Sequence, residues 1–462
     1  MRKLIASLAL IATALSASTA LAQSAFVAPD STFSGRISAS PSEPASPILP
    51  GSTVTISGNG FKPGQEVVLH RGELVLNPDG AAIADNEGKF AFEITLPEDA
   101  APGLHPVVVE ADNPSSASIF DLKISPDVPL AGEDMFDAAS QKLVPGLYQV
   151  AYSEASDALY VTSAVGRPPV KQSALLKVDP DTLEILAQIA PEAAPAREDG
   201  SDGGVFAVYG VDVDDAKGTV WVTNTRQNTV AVYEQGDLSL VKQFEPGIAQ
   251  HARDVVVDAG NGKAYVGATT TPNIIVFDTE TLEVVGTIEL PTELRGQAAS
   301  VGSLKFDPES GKLYTVSMST NEAYVIDAAQ QNIEKIIQLP GADGAIGVAH
   351  DPKTDRLFVA SQGSDNILIV DVQSGEVLHD VAVGANPLNV AFNPEDDLAY
   401  VSNRVAGTLA VVNADGDIVA NLENRPYPNH STVGPSGVVY SVNKAAGEDN
   451  PESDQITRFS RK

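Results

Sequence analysis

Arginine, lysine, asparagine and histidine side chains recur in the polar loops of the second part of this chain. The planar fork of arginine can hold a carboxylate or phosphate through two hydrogen bonds, and lysine adds a compact positive charge. Asparagine and neutral histidine can complete such a site with further hydrogen bonds. The sequence therefore offers a candidate anion-binding set, which consists of Arg226, Arg253, Asn389, Arg404, Asn429, His430 and Lys444.

A short aromatic strand, such as VWVTN or LYVTS, recurs along the same part of the chain and must position these residues. Its aromatic position recurs at intervals of 40 to 61 residues, by subtraction of residue numbers. A repeated unit of several short strands at such spacing is typical of a β-propeller, in which aromatic and β-branched side chains pack between neighbouring blades. We therefore predict an all-β fold with a seven-bladed β-propeller over residues 147–462, packed on Tyr160, Trp221, Tyr265, Tyr314, Phe358, Tyr400 and Tyr440.

The last repeat, GVVYSVNKAAGEDNPESDQITRFSRK, provides only about three strands. A closed ring needs a fourth strand there, because an unpaired strand edge would otherwise stay open. Residues 126–146, which include SQKLVPG, are predicted to form a linker and to supply this ring-closing strand.

Strand order within a blade brings two sets of loops to one face of a propeller, here called the top face. They are the loops between the second and third strands and those that lead into the next innermost strand. The candidate residues lie in these loops or at the start of innermost strands. The top face is therefore predicted to bind a small anionic ligand or a protein partner. The alternative is that these residues only solvate the loops.

The repeats also resemble a known family. Those of the form YVTN…NTVAVYE are similar to YVTN-repeat propellers, and LYQVAYSEASDALYVTS, AYVSNRVAGTLAVVNADG and YSVNKAAGEDNPESDQITRF resemble the YncE-like family. The resemblance covers about residues 147–462. It implies a periplasmic seven-bladed propeller in which Arg404 and Lys444 occupy loop positions of the family pattern. It also implies an alternative activity, the single-stranded DNA binding described for YncE.

Motifs that would indicate a particular catalytic chemistry are missing from the sequence. It has no GxSxG, Walker or Rossmann glycine motif, and no cysteine. A histidine metal centre would require His251, His350 and His430 to converge, since none forms an HExxH motif. We therefore predict a non-catalytic binding protein without cofactor or metal. A propeller enzyme of the lactonase or lyase type is the alternative.

The first part of the chain predicts export and a separate small domain. Residues 1–22 have two basic residues, an apolar run and a small-residue cleavage site, as a signal peptide does. Residues 23–46 are rich in Ser, Pro and Ala and are predicted to form a flexible leader. Residues 47–125 alternate apolar and polar positions between turns, which predicts an immunoglobulin-like, IPT-like β-sandwich. The predicted location is the periplasm.

The chain is strongly acidic, with 29 Lys and Arg against 61 Asp and Glu and a formal charge of −32. Loss of Arg2 and Lys3 with the signal peptide would bring this charge to −34. Such a charge repels polyanions, so a nucleic-acid partner is disfavoured. No later segment is apolar over the roughly 20 residues that span a membrane. A monomer without a membrane span is expected.

Overall fold

The computed structural model describes residues 31–197, 199–445 and 450–462. The predicted signal peptide and the first residues of the predicted leader lie outside this described part. Two compact units are present, one formed mainly by residues up to 123 and one mainly by residues 124–462. Within the described ranges, no helix has the length and apolar character needed to cross a membrane.

The first unit contains a three-stranded sheet in the order β1-β2-β6 and a five-stranded sheet in the order β4-β3-β7-β8, in which β5 also pairs with β3. Alternate residues are buried, for example Val54 and Ile56 on one sheet and Val67 and Leu69 on the other. The immunoglobulin-like class of this unit remains a prediction. Its strands are β1 (Arg36–Pro41), β2 (Thr53–Asn59), β3 (Glu66–Arg71), β4 (Leu74–Val75), β5 (Ala82–Ile83), β6 (Phe90–Thr95), β7 (Gly103–Asp112) and β8 (Ser116–Ile124).

Strand β1 corrects the prediction of a flexible leader over residues 23–46, which was wrong for Arg36–Pro41. These residues pair in antiparallel register with β2, from Arg36 opposite Asn59 to Pro41 opposite Val54. Ile37 and Ala39 are half-buried on one side of the strand. The composition of the segment concealed this short alternation of apolar and polar positions.

The second unit consists of seven four-stranded antiparallel sheets, which are the seven blades of the propeller. Blades one to three contain β10 (Leu147–Ser153), β11 (Ala158–Val165), β12 (Gln172–Val178), β13 (Ile185–Ile189), β14 (Val211–Asp214), β15 (Thr219–Asn224), β16 (Thr229–Glu234), β17 (Leu240–Gln243), β18 (Ala252–Asp258), β19 (Lys263–Ala268), β20 (Asn273–Asp278) and β21 (Glu283–Glu289).

Blades four to seven complete the ring, and short 3₁₀ turns occur at Glu133–Met135, Thr225–Gln227 and Pro435–Gly437. Their strands are β22 (Val301–Asp307), β23 (Lys312–Ser317), β24 (Glu322–Asp327), β25 (Asn332–Gln338), β26 (Ala345–Asp351), β27 (Arg356–Ser361), β28 (Asn366–Asp371), β29 (Val377–Ala382), β30 (Pro387–Asn393), β31 (Leu398–Asn403), β32 (Thr408–Asn413), β33 (Ile418–Glu423), β34 (Pro428–Val433), β35 (Val439–Asn443), β36 (Gln455–Arg461) and β9 (Phe136–Lys142).

Strand β9 closes the ring of blades. It pairs with β36 along its full length, from Phe136 opposite Arg461 to Lys142 opposite Gln455. The hydroxyl groups of Ser140 and Thr457 add a side-chain hydrogen bond of 2.9 Å. The seventh blade therefore combines three strands from the end of the propeller with one from before its first blade.

The repeated aromatic residues are buried between blades, which confirms their predicted role. Trp221, Tyr265, Tyr314 and Tyr400 are each at most 2% exposed. Trp221 in blade two packs on Phe277 in blade three, with ring centroids 5.7 Å apart. The Tyr265, Tyr160 and Tyr440 hydroxyls each donate to a backbone carbonyl of the next blade, for example Tyr265 to Ala328 at 3.0 Å.

Candidate functional site

The top face brings together four cations that come from four different blades. Arg226 follows β15, Arg253 lies on β18, Arg404 follows β31 and Lys444 follows β35. We call these four residues the cationic cluster. Arg253 belongs to blade three, yet its charge acts on Arg404 in blade six and His430 in blade seven. Arg253 is therefore within electrostatic range of residues in blades six and seven.

Three tyrosines lie beneath the cationic cluster. The Lys444 Nζ is 4.7 Å from the centroid of the Tyr148 ring, and Tyr148 meets Tyr209 edge to face at 4.8 Å. The guanidinium of Arg404 lies 5.1 Å from the Tyr427 ring, and that of Arg226 lies 5.9 Å from Tyr209. Cations are attracted to the faces of aromatic rings, so these contacts hold the charges in place without a carboxylate.

Sequence reasoning did not identify the three tyrosines as part of the site. Tyr148 is the second residue of the first innermost strand, Tyr209 precedes the second, and Tyr427 precedes the seventh. An aromatic residue at the start of an innermost strand, beside arginine-bearing loops, was the signal that could have identified them.

The cationic cluster lacks ion-pair partners among the described residues. Ion pairs do join other cations of the propeller, such as Lys171 with Asp202 and Arg425 with Glu423. Within residues 31–197, 199–445 and 450–462, however, no carboxylate oxygen lies within 4.0 Å of a charged nitrogen of the cluster. The positive charges are therefore concentrated at one place of an otherwise acidic protein.

The nearest acidic side chains are occupied by other donors. Asp254 accepts hydrogen bonds from the Gln149 Nε2 at 3.2 Å and from the Leu304 N–H at 2.9 Å. Burial raises the pKa of Asp254. The Oδ1 of Asp454 accepts from the backbone N–H groups of Gly146 and Ala445. Neither carboxylate forms an ion pair with the cluster, although Asp254 acts electrostatically on Arg253 and Asp454 on Lys444.

The two central arginines differ in their hydrogen bonds. Arg404 donates from Nη1 to the Oδ1 of Asn429, whose Nδ2 donates to the Tyr148 carbonyl at 2.6 Å. Asn429 therefore fixes the direction of Arg404. The Nε of Arg253 is buried and has no hydrogen-bond partner among the described residues. A buried donor without a partner is costly, and a ligand could satisfy it.

Asn389 and His430 make contacts between blades. The Oδ1 of Asn389 accepts the Ser431 N–H at 2.9 Å, and the Nδ1 of His430 accepts the Val150 N–H at 3.5 Å. Burial, followed by the charge of Arg253, lowers the pKa of His430 to about 3. Because its Nδ1 is an acceptor, the proton of this neutral imidazole is on Nε2. His430 lies within electrostatic range of Arg253 and thus near the cluster. Asn389 instead accepts its hydrogen bond from the neighbouring innermost strand.

The three histidines considered for a metal centre do not converge. His251 lies at the top face, where burial and the charges of Arg226 and Arg253 lower its pKa. His350 lies near the opposite end of an innermost strand, stacked on Tyr314 with centroids 4.4 Å apart and 3.1 Å from Asp355. Among the described residues, no group of three or more potential ligands could hold a metal ion.

The innermost strands enclose a central channel of about 780 Å³. His430 and Asn389 line it, together with Asp212 and Lys305. The Oδ2 of Asp212 accepts the Val257 N–H at 2.8 Å. Burial raises the pKa of Asp212 to about 7, against the opposing effect of Lys305. Burial also lowers the pKa of Lys305, although this residue is exposed and lines the channel.

Comparison with known proteins adds a family likeness to this geometry, although no family model matches the chain. It is 28% identical over 321 residues to the uncharacterized protein YncE of Salmonella typhimurium, which covers 67% of this chain and 84% of that protein. YncE of Escherichia coli is 26% identical over 276 residues, or 57% of this chain and 71% of that protein.

The chain carries a YncE-like propeller. Solved structures agree on the fold: virginiamycin B lyase from Staphylococcus aureus has a TM-score of 0.55 and 13% identity over 70% of this chain and 99% of its own. Hydrazine synthase of Kuenenia stuttgartiensis has a TM-score of 0.55 and 14% identity over 69% and 96%, respectively. At such low identity these structures establish the β-propeller fold of this YncE-like protein and nothing about its chemistry.

Proposed function

We propose that this YncE-like protein is a non-catalytic, exported binding protein that holds a small anion or an acidic group of a partner peptide at the top face. One observation supports this proposal above the others. Four cations from four blades lie within electrostatic range of one another, and no described carboxylate forms an ion pair with them. Charge concentrated in this way binds anions through charge-assisted hydrogen bonds.

The acidic composition of the chain makes an unpaired cluster of cations an unusual feature. With a formal charge of −32, the chain has many carboxylates that could have paired with these cations. Like charges placed together cost stability, and such costs are typical of binding sites rather than of scaffolds. An anion would neutralise the cluster and fill the unused donor of Arg253.

Single-stranded nucleic acid is the second candidate, because aromatic side chains beside cations are the usual elements of such sites. Tyr148 and Tyr427 are both partly accessible and lie beside Lys444 and Arg404. Tyr209, however, is only 4% exposed and cannot stack on a base. The acidic surface also opposes a polyanion, so the small anion remains the proposal.

Arg404→Met is expected to weaken binding of small carboxylates and phosphates by about 10- to 100-fold. This range corresponds to the loss of one charge-assisted contact of ~1.5–3 kcal/mol. Methionine keeps an apolar contact with Tyr427, so the melting temperature should change little. Calorimetric titration of the mature protein with anions identified by thermal shift would measure the effect.

Arg425→Met is the matched control, because Arg425 is on the same side of the molecule but is exposed and paired with Glu423. It should leave the affinity within about twofold of the unmodified protein. Equal affinities for the two variants would reject the proposed site. Binding of oligo-dT that is stronger than that of every small anion, and that falls steeply with salt, would favour the nucleic-acid candidate.

A further inference from the structure

Lys444 differs from those lysines of the propeller that pair with a carboxylate. Lys171, Lys263 and Lys353 each lie within 3 Å of a carboxylate oxygen. Lys444 has no such partner among the described residues, and its Nζ lies over the Tyr148 ring instead. Its described charged neighbours are Arg404, Arg226 and the already occupied Asp454.

These surroundings favour the neutral amine of Lys444. Burial first, then the charges of Arg404 and Arg226, lower its pKa to about 8, while Asp454 acts in the opposite direction. An ordinary lysine amine is protonated almost completely at neutral pH. A lysine that is desolvated beside other cations is a nucleophile, and this is how proteins activate amines to attack carbonyl groups.

We propose that the cationic cluster captures small anions that also carry an aldehyde or ketone group, and that Lys444 binds this carbonyl carbon reversibly as a Schiff base. The inference rests on the proposed function, because the arginines must first hold the carboxylate or phosphate of the same molecule. Arg404 and Arg226 act electrostatically on Lys444, so they supply the positive charge near the amine that this anionic group needs. The ligand class is thus an anionic carbonyl compound, such as a 2-oxo acid or a phosphorylated aldehyde.

The covalent step balances without an oxidant or reductant. The neutral Lys444 Nζ attacks the carbonyl carbon, and a carbinolamine forms after proton transfer from nitrogen to oxygen. Its hydroxyl takes up one proton and leaves as water while the nitrogen forms the C=N bond. The product is an iminium, so the nitrogen keeps a positive charge above the Tyr148 ring. Hydrolysis reverses the step and releases the ligand.

Reductive trapping of the mature protein tests this inference. Glyoxylate, which combines a carboxylate with an aldehyde, is added with sodium cyanoborohydride at pH 7.5, and modified lysines are quantified by peptide mass spectrometry. Lys444 should react more than about 100-fold faster than Lys353, whose ion pair with Asp397 raises its pKa. Labelling of Lys444 no faster than that of Lys353 would overturn the inference.

Two variants separate the roles of charge and amine. Lys444→Arg keeps the positive charge but cannot form a Schiff base, so trapping should vanish while binding of glycolate, the matching hydroxy acid, persists. Loss of the Arg404 charge removes one cause of the low pKa of Lys444, so Arg404→Met should slow trapping of uncharged formaldehyde as well as of glyoxylate. Loss of the contact with the carboxylate should reduce trapping of glyoxylate about 10-fold more than trapping of formaldehyde. Lys353→Met should not affect any of these measurements.

The outcomes distinguish this inference from the proposed function. Arg404-dependent binding of both glycolate and glyoxylate, without trapping at Lys444, would reject the Schiff base and leave the anion site standing. Trapping at Lys444 that is equally fast for glyoxylate and formaldehyde, and independent of Arg404, would reject anion capture itself.

Discussion

Replacing Trp221 with alanine is expected to lower the free energy of unfolding of the propeller by about 3–5 kcal/mol. The side chain is fully buried and packs between blades two and three against Phe244 and Phe277, with centroids 6.1 and 5.7 Å away. Alanine would leave a cavity of almost the whole indole, which the rigid sheets on either side cannot close. Urea unfolding followed by circular dichroism would measure the loss.

Trp221→Phe is the matched control for this substitution. The Nε1 of Trp221 has no hydrogen-bond partner among the described residues, so phenylalanine loses packing volume but no hydrogen bond. Its cost should be about half that of alanine or less. Fluorescence is unsuitable as the probe, because Trp221 is the only tryptophan of the chain. A loss below about 1 kcal/mol in Trp221→Ala would contradict its assignment to the packing between blades.

Asp212→Asn is expected to stabilise the protein at pH 8 by on the order of 1–3 kcal/mol and to have little effect near pH 4. Burial raises the pKa of Asp212 to about 7 in the folded protein, above its value of about 4 in an unfolded chain. A raised pKa means that the folded state binds the proton more tightly. The contribution of Asp212 to stability is therefore full below about pH 4 and is lost as the pH rises through 7.

Asparagine should retain the hydrogen bond from the Val257 N–H while removing the charge. Asp215→Asn is the matched control with the opposite sign. Burial tends to raise the pKa of Asp215. Hydrogen bonds from Ser153, from Gln235 and from two backbone N–H groups outweigh this effect and lower the pKa below its ordinary value. Its stabilising contribution is present above about pH 4 and is lost at lower pH, so this variant should be weaker at pH 8. Melting temperatures of the two variants and of the unmodified protein, measured between pH 4 and 8, would test both expectations. Identical pH profiles for Asp212→Asn and the unmodified protein would refute the prediction.

The sequence was sufficient to predict the propeller because its repeat is enforced by packing. An aromatic residue that must fill the same space between every pair of blades recurs at a regular spacing, and the missing strand of the last blade predicts β9. The prediction of a flexible leader was wrong at Arg36–Pro41 because it relied on the Ser, Pro and Ala content of the segment. The alternation of apolar and polar residues there is too short to stand out. Residues such as Ile37 carry too weak a signal to indicate that a partner strand lies further along the chain.

The site could be predicted only in part. Strand order predicts that Arg226, Arg253, Arg404 and Lys444 lie on one face. That the charge of Arg253 acts on residues in blades six and seven depends on the diameter of the ring, which no local pattern encodes. Asp212 was missed for a different reason, since it stands in the acidic stretch DVDD, where nothing in the sequence separates it from the turn residues that follow. The structure places Asp212 on the innermost strand β14, before the hairpin loop, where it lines the channel.

The pairing of β9 with β36 has a consequence for how the propeller folds and unfolds. It joins residues more than 300 positions apart in the chain, such as Ser140 and Thr457, so its loop-closure entropy is among the largest in the molecule. Contacts of such long range form late in folding and slow it. During folding the chain would therefore remain an open array of blades until these two strands pair. Once they pair, neither the first nor the seventh blade is a free end, and unfolding must break the ring before any blade can separate, which favours a long-lived native state.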